Sequence, residues 1–328
     1  MGGDFAPHIV LKGANIARLR YPQAEFVFFG DENKINPLIK SMRKLQEVSK
    51  IVHTDSVIPT DMKPSYALRR EKTSSMRLAV EAVKNGEADC VVSAGNTGAL
   101  MVISQFVLRN LPGIQRSAMA SFMPSLKGEV VVLDLGANVD CQENHLVQFA
   151  VMGSVFSQIV CGYQNPRVGL LNVGSEDGKG NDILKSVNKT LKSTDLPGSY
   201  YGFIEGNHIM EGLTDVVVTD GFTGNIALKV IEGSAKLSTE FIRQGFKNSF
   251  FAKVGYLFAK QTLKKLWIRL DPRRYNGAVL LGVNGIVVKS HGGTDALGFA
   301  TALGVSIDMA ANNYNELLIE KFQALKTA

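Results

Sequence analysis

Apolar residues in this chain gather in short dense runs, most of which close on glycine. EFVFFG, ADCVVSAG, EVVVLDLG, RVGLLNVG, DVVVTDG and AVLLGVNGIVVKSHG are such runs. With little polar alternation, they suit strands covered on both faces, as in a parallel sheet. Stretches of helical character follow most of them. SSMRLAVEAVKNG has Ser74 or Ser75 placed to cap it and Gly86 to end it, and IALKVIEGSAKLSTEFIRQ follows TDGFTGN. Strand, glycine turn and helix in repetition predict an α/β fold, a doubly wound, mostly parallel sheet with helices on both faces. No tandem repeat, low-complexity tract or long linker intervenes, so residues 1–328 are expected to form a single domain. A basic segment at 245–275 breaks the rhythm and is expected as a helical insertion within it.

In such sheets ligands gather at the carboxyl ends of the strands, where helix N-termini offer free backbone N–H groups to anions. The loops expected there read AGNTGA (94–99), LGANVD (135–140), GSEDGKGND (174–182), DGFTGN (220–225) and SHGGTDA (290–296). Each combines glycine, which lets a backbone amide approach an oxyanion, with Asn, Thr, Ser or Asp, which adds side-chain hydrogen bonds. One such loop is ordinarily a turn; five at matched positions predict a phosphate or oxyanion site. None is a nucleotide fingerprint. No GxGxxG follows the early strands, and GSEDGKG is one residue short of a P-loop between its glycines.

Covalent catalysis lacks its parts. There is no GxSxG elbow, and the SxxK spacings at Ser41 to Lys44 and Ser186 to Lys189 fall in helix-like surface stretches. Only His291 of the histidines lies in a glycine loop, and His8, His53, His145 and His208 form no spaced ligand pair, so no metal or other cofactor is expected. The nucleophile must then arrive as a substrate. Inorganic phosphate, anionic at neutral pH, is such a nucleophile; an enzyme using it must hold the dianion and stabilise the oxyanion formed at a carbonyl. Lys179, bare between Gly178 and Gly180, suits that work as a compact charge with room for close approach. The alternative is a solvated lysine at a loop tip.

Composition narrows the class. A chain of 328 residues with 45% hydrophobic content can bury a large core. No run approaches the ~18–20 apolar residues of a spanning helix, and MGGDFAPHIV lacks the features of a signal peptide, so a cytoplasmic protein is expected. Cys90, Cys141 and Cys161 are isolated and offer neither a disulfide framework nor a metal knuckle. The formal charge of +6 is local: Arg243 to Arg274 holds nine basic residues against Asp271, a net +8, which leaves −2 for the rest. An anionic partner would meet that segment, and nucleic acid is not expected as a partner.

The strings MGGDFAP, KPSYALRREKTSSM, ADCVVSAGNTGALM, LDLGANVDCQENHLVQFAVMGSVF, GLLNVGSEDGKGND, TDGFTGN and LLGVNGIVVKSHGGTDA occur in the order of one family. Over nearly its whole length the chain resembles the bacterial phosphate acyltransferases of the PlsX family. The resemblance implies transfer of a fatty acyl group from acyl carrier protein to inorganic phosphate, giving acyl phosphate for phospholipid synthesis. It also implies a homodimer whose fold is related to isocitrate dehydrogenase and phosphotransacetylase. By motif, Lys179 and Asn225 occupy positions similar to the family's catalytic pair. Lys179 is expected to neutralise phosphate or the developing oxyanion, and Asn225 to orient carbonyl or phosphate. The same resemblance gathers Asn96, Thr97, Gly98, His291 and Asp295 around the cleft, and Asn138, Gly178, Gly180, Asp220 and Gly224 are the further candidates for binding substrate.

Three departures stand out. Family members usually carry a β-strand before MGGD, so a strand ahead of Met1 is expected in the natural protein. YNGAVLLG has Asn276 and Val279 where a glycine and a proline are usual, and HGGTDA stands for the commoner HGSSDA. Loop geometry, rather than chemistry, is expected to differ there. In the basic segment, FFAKVGYLFAKQTLKKLW interleaves apolar residues with lysines, a mixture suited to an anionic lipid surface. Lys253, Leu257, Phe258, Lys260, Lys264 and Trp267 are the expected contacts with membrane, with the acidic carrier protein or with a dimer partner. Peripheral membrane association and contact with a downstream glycerol-phosphate acyltransferase follow as expectations. Two other readings stay open: a phosphotransacetylase-like or dehydrogenase-like enzyme on small substrates, and a membrane-associated scaffold for lipid-synthesis enzymes.

Overall fold

Along Gly128–Leu133 the side chains divide strictly. Val131 and Leu133 point into one hydrophobic layer, Val130 and Val132 into another. A strand that buries both faces needs a helical layer on each side, and the computed structural model, which describes residues 1–247, 258–261 and 271–327, shows both layers. The elements in chain order are α1 (His8–Arg20), β1 (Phe26–Gly30), α2 (Glu32–Ile39), α3 (Arg43–Gln46), β2 (Ser49–His53), α4 (Pro64–Arg70), α5 (Ser75–Lys84) and β3 (Cys90–Ser93). There follow α6 (Thr97–Leu108), β4 (Ala118–Ser125), β5 (Gly128–Leu133), α7 (Glu143–Phe156), β6 (Arg167–Leu171), α8 (Asp182–Ser193), β7 (Ser199–Ile204), α9 (Gly206–Glu211) and β8 (Val216–Val218). The chain closes with α10 (Gly221–Lys247), β9 (Ala278–Leu281), β10 (Ile286–Lys289), α11 (Ala296–Ala311) and α12 (Tyr314–Thr327).

Eight strands form one sheet in the order β3-β10-β9-β4-β5-β8-β6-β7. The pairs β3/β10, β5/β8, β8/β6 and β6/β7 are parallel, while β10/β9, β9/β4 and β4/β5 are antiparallel. The run AVLLGVNGIVVKSHG is thus two antiparallel strands, β9 and β10, joined at Gly282–Gly285. Helices α7, α8, α11 and α12 cover one face; α4, α5, α6, α9 and α10 cover the other. The cap expected at Ser74 is present, its hydroxyl accepting from Arg77 N at 3.3 Å, and Gly86 turns the chain away at φ +72°. Cys90, Cys141 and Cys161 are free and pack against the first of these layers.

β1 and β2 form a separate parallel pair, packed with α1, α2 and α3 around a third apolar cluster. Between the open edges of β1 and β3 runs a groove of about 750 Å³ lined by Phe26, Phe28, Val91, Leu303 and their neighbours. Met1 enters it at the far end, its amino group donating to Phe29 O at 2.8 Å.

Candidate active site

Strands β5, β8 and β6 are neighbours in register, Leu133 opposite Val218 and Val218 opposite Leu170. Their carboxyl ends are therefore level, and the loops 135–140, 220–225 and 174–182 leave the sheet side by side. Asp134 builds the first of them. Its fully buried carboxylate accepts from the backbone N–H of Met119, Gly136, Ala137 and Asn138 and from Asn138 Nδ2, at 2.7–3.3 Å. Asn138 Nδ2 also donates to Ser117 O at 2.7 Å, so this amide is spent on holding the turn.

The helix after β8 then fits flush onto that turn. Gly221 N donates to Asn138 O at 2.8 Å, and a Cβ on Gly224 would lie 1.9 Å from Asp134 O. Asp220 caps α10, accepting from Thr223 N at 2.8 Å and from the Thr223 hydroxyl at 2.9 Å. One turn further, the exposed Asn225 lies over Gly136, where a Cβ would sit 3.6 Å from its own Cβ.

The third loop holds Lys179 in solvent. Lys179 N donates to Glu176 O at 3.0 Å, and its carbonyl accepts from Asn172 Nδ2 at 3.2 Å. Asp177 is tied outward to α8, accepting from Lys192 Nζ at 2.8 Å and Asn188 Nδ2 at 3.0 Å, and these bonds hold its carboxyl below the usual range. Asp177 is therefore paired away from the lysine, whereas the Glu176 carboxylate and the Lys179 stem both lie against Gly174. Gly180 adopts φ +85°, whereas a Cβ on Gly178 would meet nothing within 4 Å.

The loops after β3 and β10 form a second group. Met1–Asp4 threads between them, Asp4 N donating to Gly292 O at 3.0 Å and Gly3 packing on Ala94. Asn96 caps α6 through Ala99 N at 3.0 Å, and its Nδ2 donates to the carbonyls of Pro59, Thr60 and Met62 at 2.8–3.2 Å. Gly98 makes room for Pro64, and Thr97 is exposed. Asp295 caps α11 through Gly298 N at 3.0 Å and pairs with Arg273 Nη1 at 2.8 Å. The exposed His291 accepts from Gly293 N through Nδ1 at 3.1 Å. Buried Asn276 braces this loop, accepting from His291 N at 2.9 Å and donating to Ser290 Oγ at 2.8 Å and Gly298 O at 2.7 Å.

Among the described residues no hydrogen bond joins the two groups. Helix α6 separates them: Asn96 caps its start, and Gln105 Nε2 donates to Ser117 Oγ at 2.8 Å beside the Asn138 turn. Nine residues of helix place these ends about 14 Å apart along its axis. Asn96, Thr97, Gly98, His291 and Asp295 thus stand in one group of loops, while Lys179 and Asn225 issue from adjacent strands in the other.

Sequence reading missed three residues here. Asp134 and Asn172 are ordinary strand-end polar residues until their bonds are seen. Lys289 closes the run GIVVK and is buried at the end of β10, its Nζ donating to Ser290 O; desolvation lowers its pKa to about 8. His53, without a partner in sequence, lies with Asp31 and Asp55 so that one ligand atom of each falls within 4.8 Å, but Asp31 is the cap of α2, and His53 and Asp55 are exposed.

In the basic segment Phe258 and Lys260 are exposed; Lys253, Leu257, Lys264 and Trp267 lie outside the described residues. Arg243 pairs with Glu240 at 2.8 Å and Arg273 with Asp271 at 2.6 Å, which offsets part of the local charge. Phe222, Ile226, Val230, Leu237 and Phe241 form an exposed stripe along α10. Among the described residues no helix is long and apolar enough to cross a membrane.

A family model described as "Fatty acid synthesis protein" matches residues 1–317. The phosphate acyltransferase of Paramagnetospirillum magneticum is 54% identical over 328 residues, covering 100% of this chain and 93% of that protein. The phosphate acyltransferase of Rhodospirillum centenum is also 54% identical, covering 100% and 92%. Among solved structures, a phosphotransacetylase from Streptococcus pyogenes superposes with a TM-score of 0.62 at 17% identity, covering 94% of this chain and 92% of that one. The EutD phosphotransacetylase from Staphylococcus aureus gives 0.60 at 16% identity, covering 93% and 91%. At that identity the likeness is one of fold.

Proposed function

The chain belongs to the fatty acid synthesis protein family and is an acyltransferase of lipid synthesis, and from this premise we propose that it moves a long-chain fatty acyl group from acyl carrier protein onto inorganic phosphate. The observation that carries the reading is the emergence of Lys179 and Asn225 from neighbouring strands β6 and β8, beside the N-terminus of α10. The positive end of the α10 dipole favours an anion, and the Lys179 ammonium, on the loop from the adjoining strand, adds charge of the same sign.

In this reading a phosphate oxygen attacks the thioester carbonyl, forming the C–O bond of the acyl phosphate. The negative charge that develops on the carbonyl oxygen is met by Lys179 Nζ, with the Asn225 amide fixing the orientation of phosphate or carbonyl. Collapse of the tetrahedral intermediate breaks the C–S bond, and the carrier leaves as a thiolate that takes a proton from water. Gly180 closes the Lys179 loop onto Asn172, and the space beside Gly178 is open. Asp220, Gly224 and Asn138 act by seating α10 against the Asp134 turn. Thr97, Gly98 and His291, about a helix length away, meet the carrier's arm or the acyl chain rather than the phosphate, and Asn96 and Asp295 hold the turns that carry them.

The partners proposed are acyl-acyl carrier protein, inorganic phosphate and a second copy of the chain, for which the stripe on α10 supplies an apolar face. Phe258 and Lys260 belong to a peripheral contact with anionic membrane, where a glycerol-phosphate acyltransferase would take the product. The test runs palmitoyl-acyl carrier protein and acetyl-coenzyme A in parallel, each with and without phosphate, following thiol release. Phosphate-dependent release from the carrier substrate alone supports the reading. Release from acetyl-coenzyme A alone replaces it with a small-thioester enzyme.

A further inference from the structure

We infer that Asn172 is a positioning residue for Lys179, an inference that rests on the proposed role of Lys179 in acyl transfer. Asn172 stands at the last ladder position after β6, its backbone N donating to Ile204 O at 2.8 Å, and it is 8% exposed. From this fixed base its Nδ2 reaches across seven residues to the carbonyl of Lys179 at 3.2 Å. The loop between the two residues is thereby closed by one side chain.

Two close approaches make that clasp specific. A Cβ on Gly180 would lie 2.3 Å from Asn172 Oδ1 and 3.1 Å from Nδ2, so the amide rests directly on the Gly180 backbone. A Cβ on Gly174 would lie 2.9 Å from Lys179 Cγ, so the lysine's stem lies on Gly174 at the other side of the loop. Asn172 Oδ1 is buried and has no hydrogen-bond partner in the protein. A polar group left unsatisfied in a buried position costs stability, and in a native structure such a group calls for an explanation. The arrangement uses the donor half of the amide to fix Lys179 while its acceptor half faces the glycine that lets the loop close. Without the clasp the Lys179 backbone would sample the space open around Gly178, and its ammonium would spend less time at the carbonyl.

The test is a double-mutant cycle on the full chain. Single-turnover rates with enzyme in excess, KM for the acyl donor and melting temperature are measured for wild type, Asn172→Ala, Asn172→Asp, Lys179→Ala and the Asn172→Ala/Lys179→Ala pair. Asn172→Asp keeps size but loses the donor toward Lys179 O. The expected result is a tenfold or greater loss of rate in both Asn172 variants, with KM changed less than threefold, and a loss below twofold when Asn172→Ala is added to Lys179→Ala. Asn172→Ser provides a milder variant should either of the others fail to fold, with an intermediate loss expected. Equal losses in both backgrounds, or a wild-type rate in a folded Asn172 variant, overturn the inference. A wild-type rate for Lys179→Ala would instead overturn the role of Lys179 itself and take the inference with it.

Discussion

Gly224 lies so close to Asp134 that a single methyl on it would sit 1.9 Å from the Asp134 carbonyl oxygen. Backbone meets backbone there, and neither element can yield without moving the N-terminus of α10. Gly224→Ala is therefore expected to lower stability by about 1–3 kcal/mol through overpacking and to displace Asn225 from Gly136. Chemical denaturation and turnover measured together check this; unchanged stability would mean that α10 is seated otherwise.

Gly178 and Gly180 flank the same lysine but serve different ends. Gly180 holds φ +85° against Asn172, while the position of a Cβ on Gly178 is empty. Gly180→Ala should cut turnover at least tenfold, and Gly178→Ala should leave it within about twofold. Steady-state rates of the two variants decide, and an equal loss in both would show that bare access to Lys179, not the clasp, is what the glycines provide.

Lys289 links stability to alkaline pH. Its pKa falls from the ordinary 10.5 to about 8 because burial disfavours the ammonium. The folded protein thus binds fewer protons than the unfolded chain between these values. Stability from this group is lowest below pH 8 and rises as pH climbs from 8 to 10.5. At about 1.4 kcal/mol per pH unit the interval is worth about 3 kcal/mol. Lys289→Met, which keeps the buried stem, should raise stability at pH 7 and flatten the rise; urea melts of both proteins from pH 7 to 10.5 measure it.

The stripe of Phe222, Ile226, Val230, Leu237 and Phe241 is the surface on which the homodimer proposal rests. Val230→Glu with Leu237→Glu is expected to shift the protein toward monomer in light scattering, with its melting temperature little changed. A mass equal to wild type would assign the stripe to another partner.

Much of this was legible in the sequence because backbone-driven features announce themselves locally. The runs that became β5, β6 and β8 are valine- and leucine-rich, since both of their faces are covered, and the serine before α5 caps it as its position predicts. The three antiparallel pairings were not legible. Two of them turn on β4, whose sequence AMASFMPS is buried for most of its length yet lacks β-branched residues, and the third, β9 with β10, lies within what reads as one apolar run. At the site, loop chemistry pointed to Lys179 because a lysine between two glycines is visible in one dimension, and Asn225 was singled out by the resemblance to the acyltransferase family. The division of labour was not: Asn96, Asn138 and Asp295 look like ligands in sequence, but their amides and carboxylate are engaged with neighbouring backbone or Arg273. Asn172 carries no local signal because its partner lies seven residues away across a loop, and Asp134 reads as a plain strand-end acid although its partners Gly136, Ala137 and Asn138 follow closely.

The most direct measurement compares wild type and Lys179→Ala, incubated with palmitoyl-acyl carrier protein and inorganic phosphate, for thiol release and hydroxylamine-trappable acyl phosphate. The account predicts phosphate-dependent appearance of both products in wild type and at least a tenfold loss in a folded Lys179→Ala. Equal rates in the two proteins, or thiol release without acyl phosphate, would contradict it.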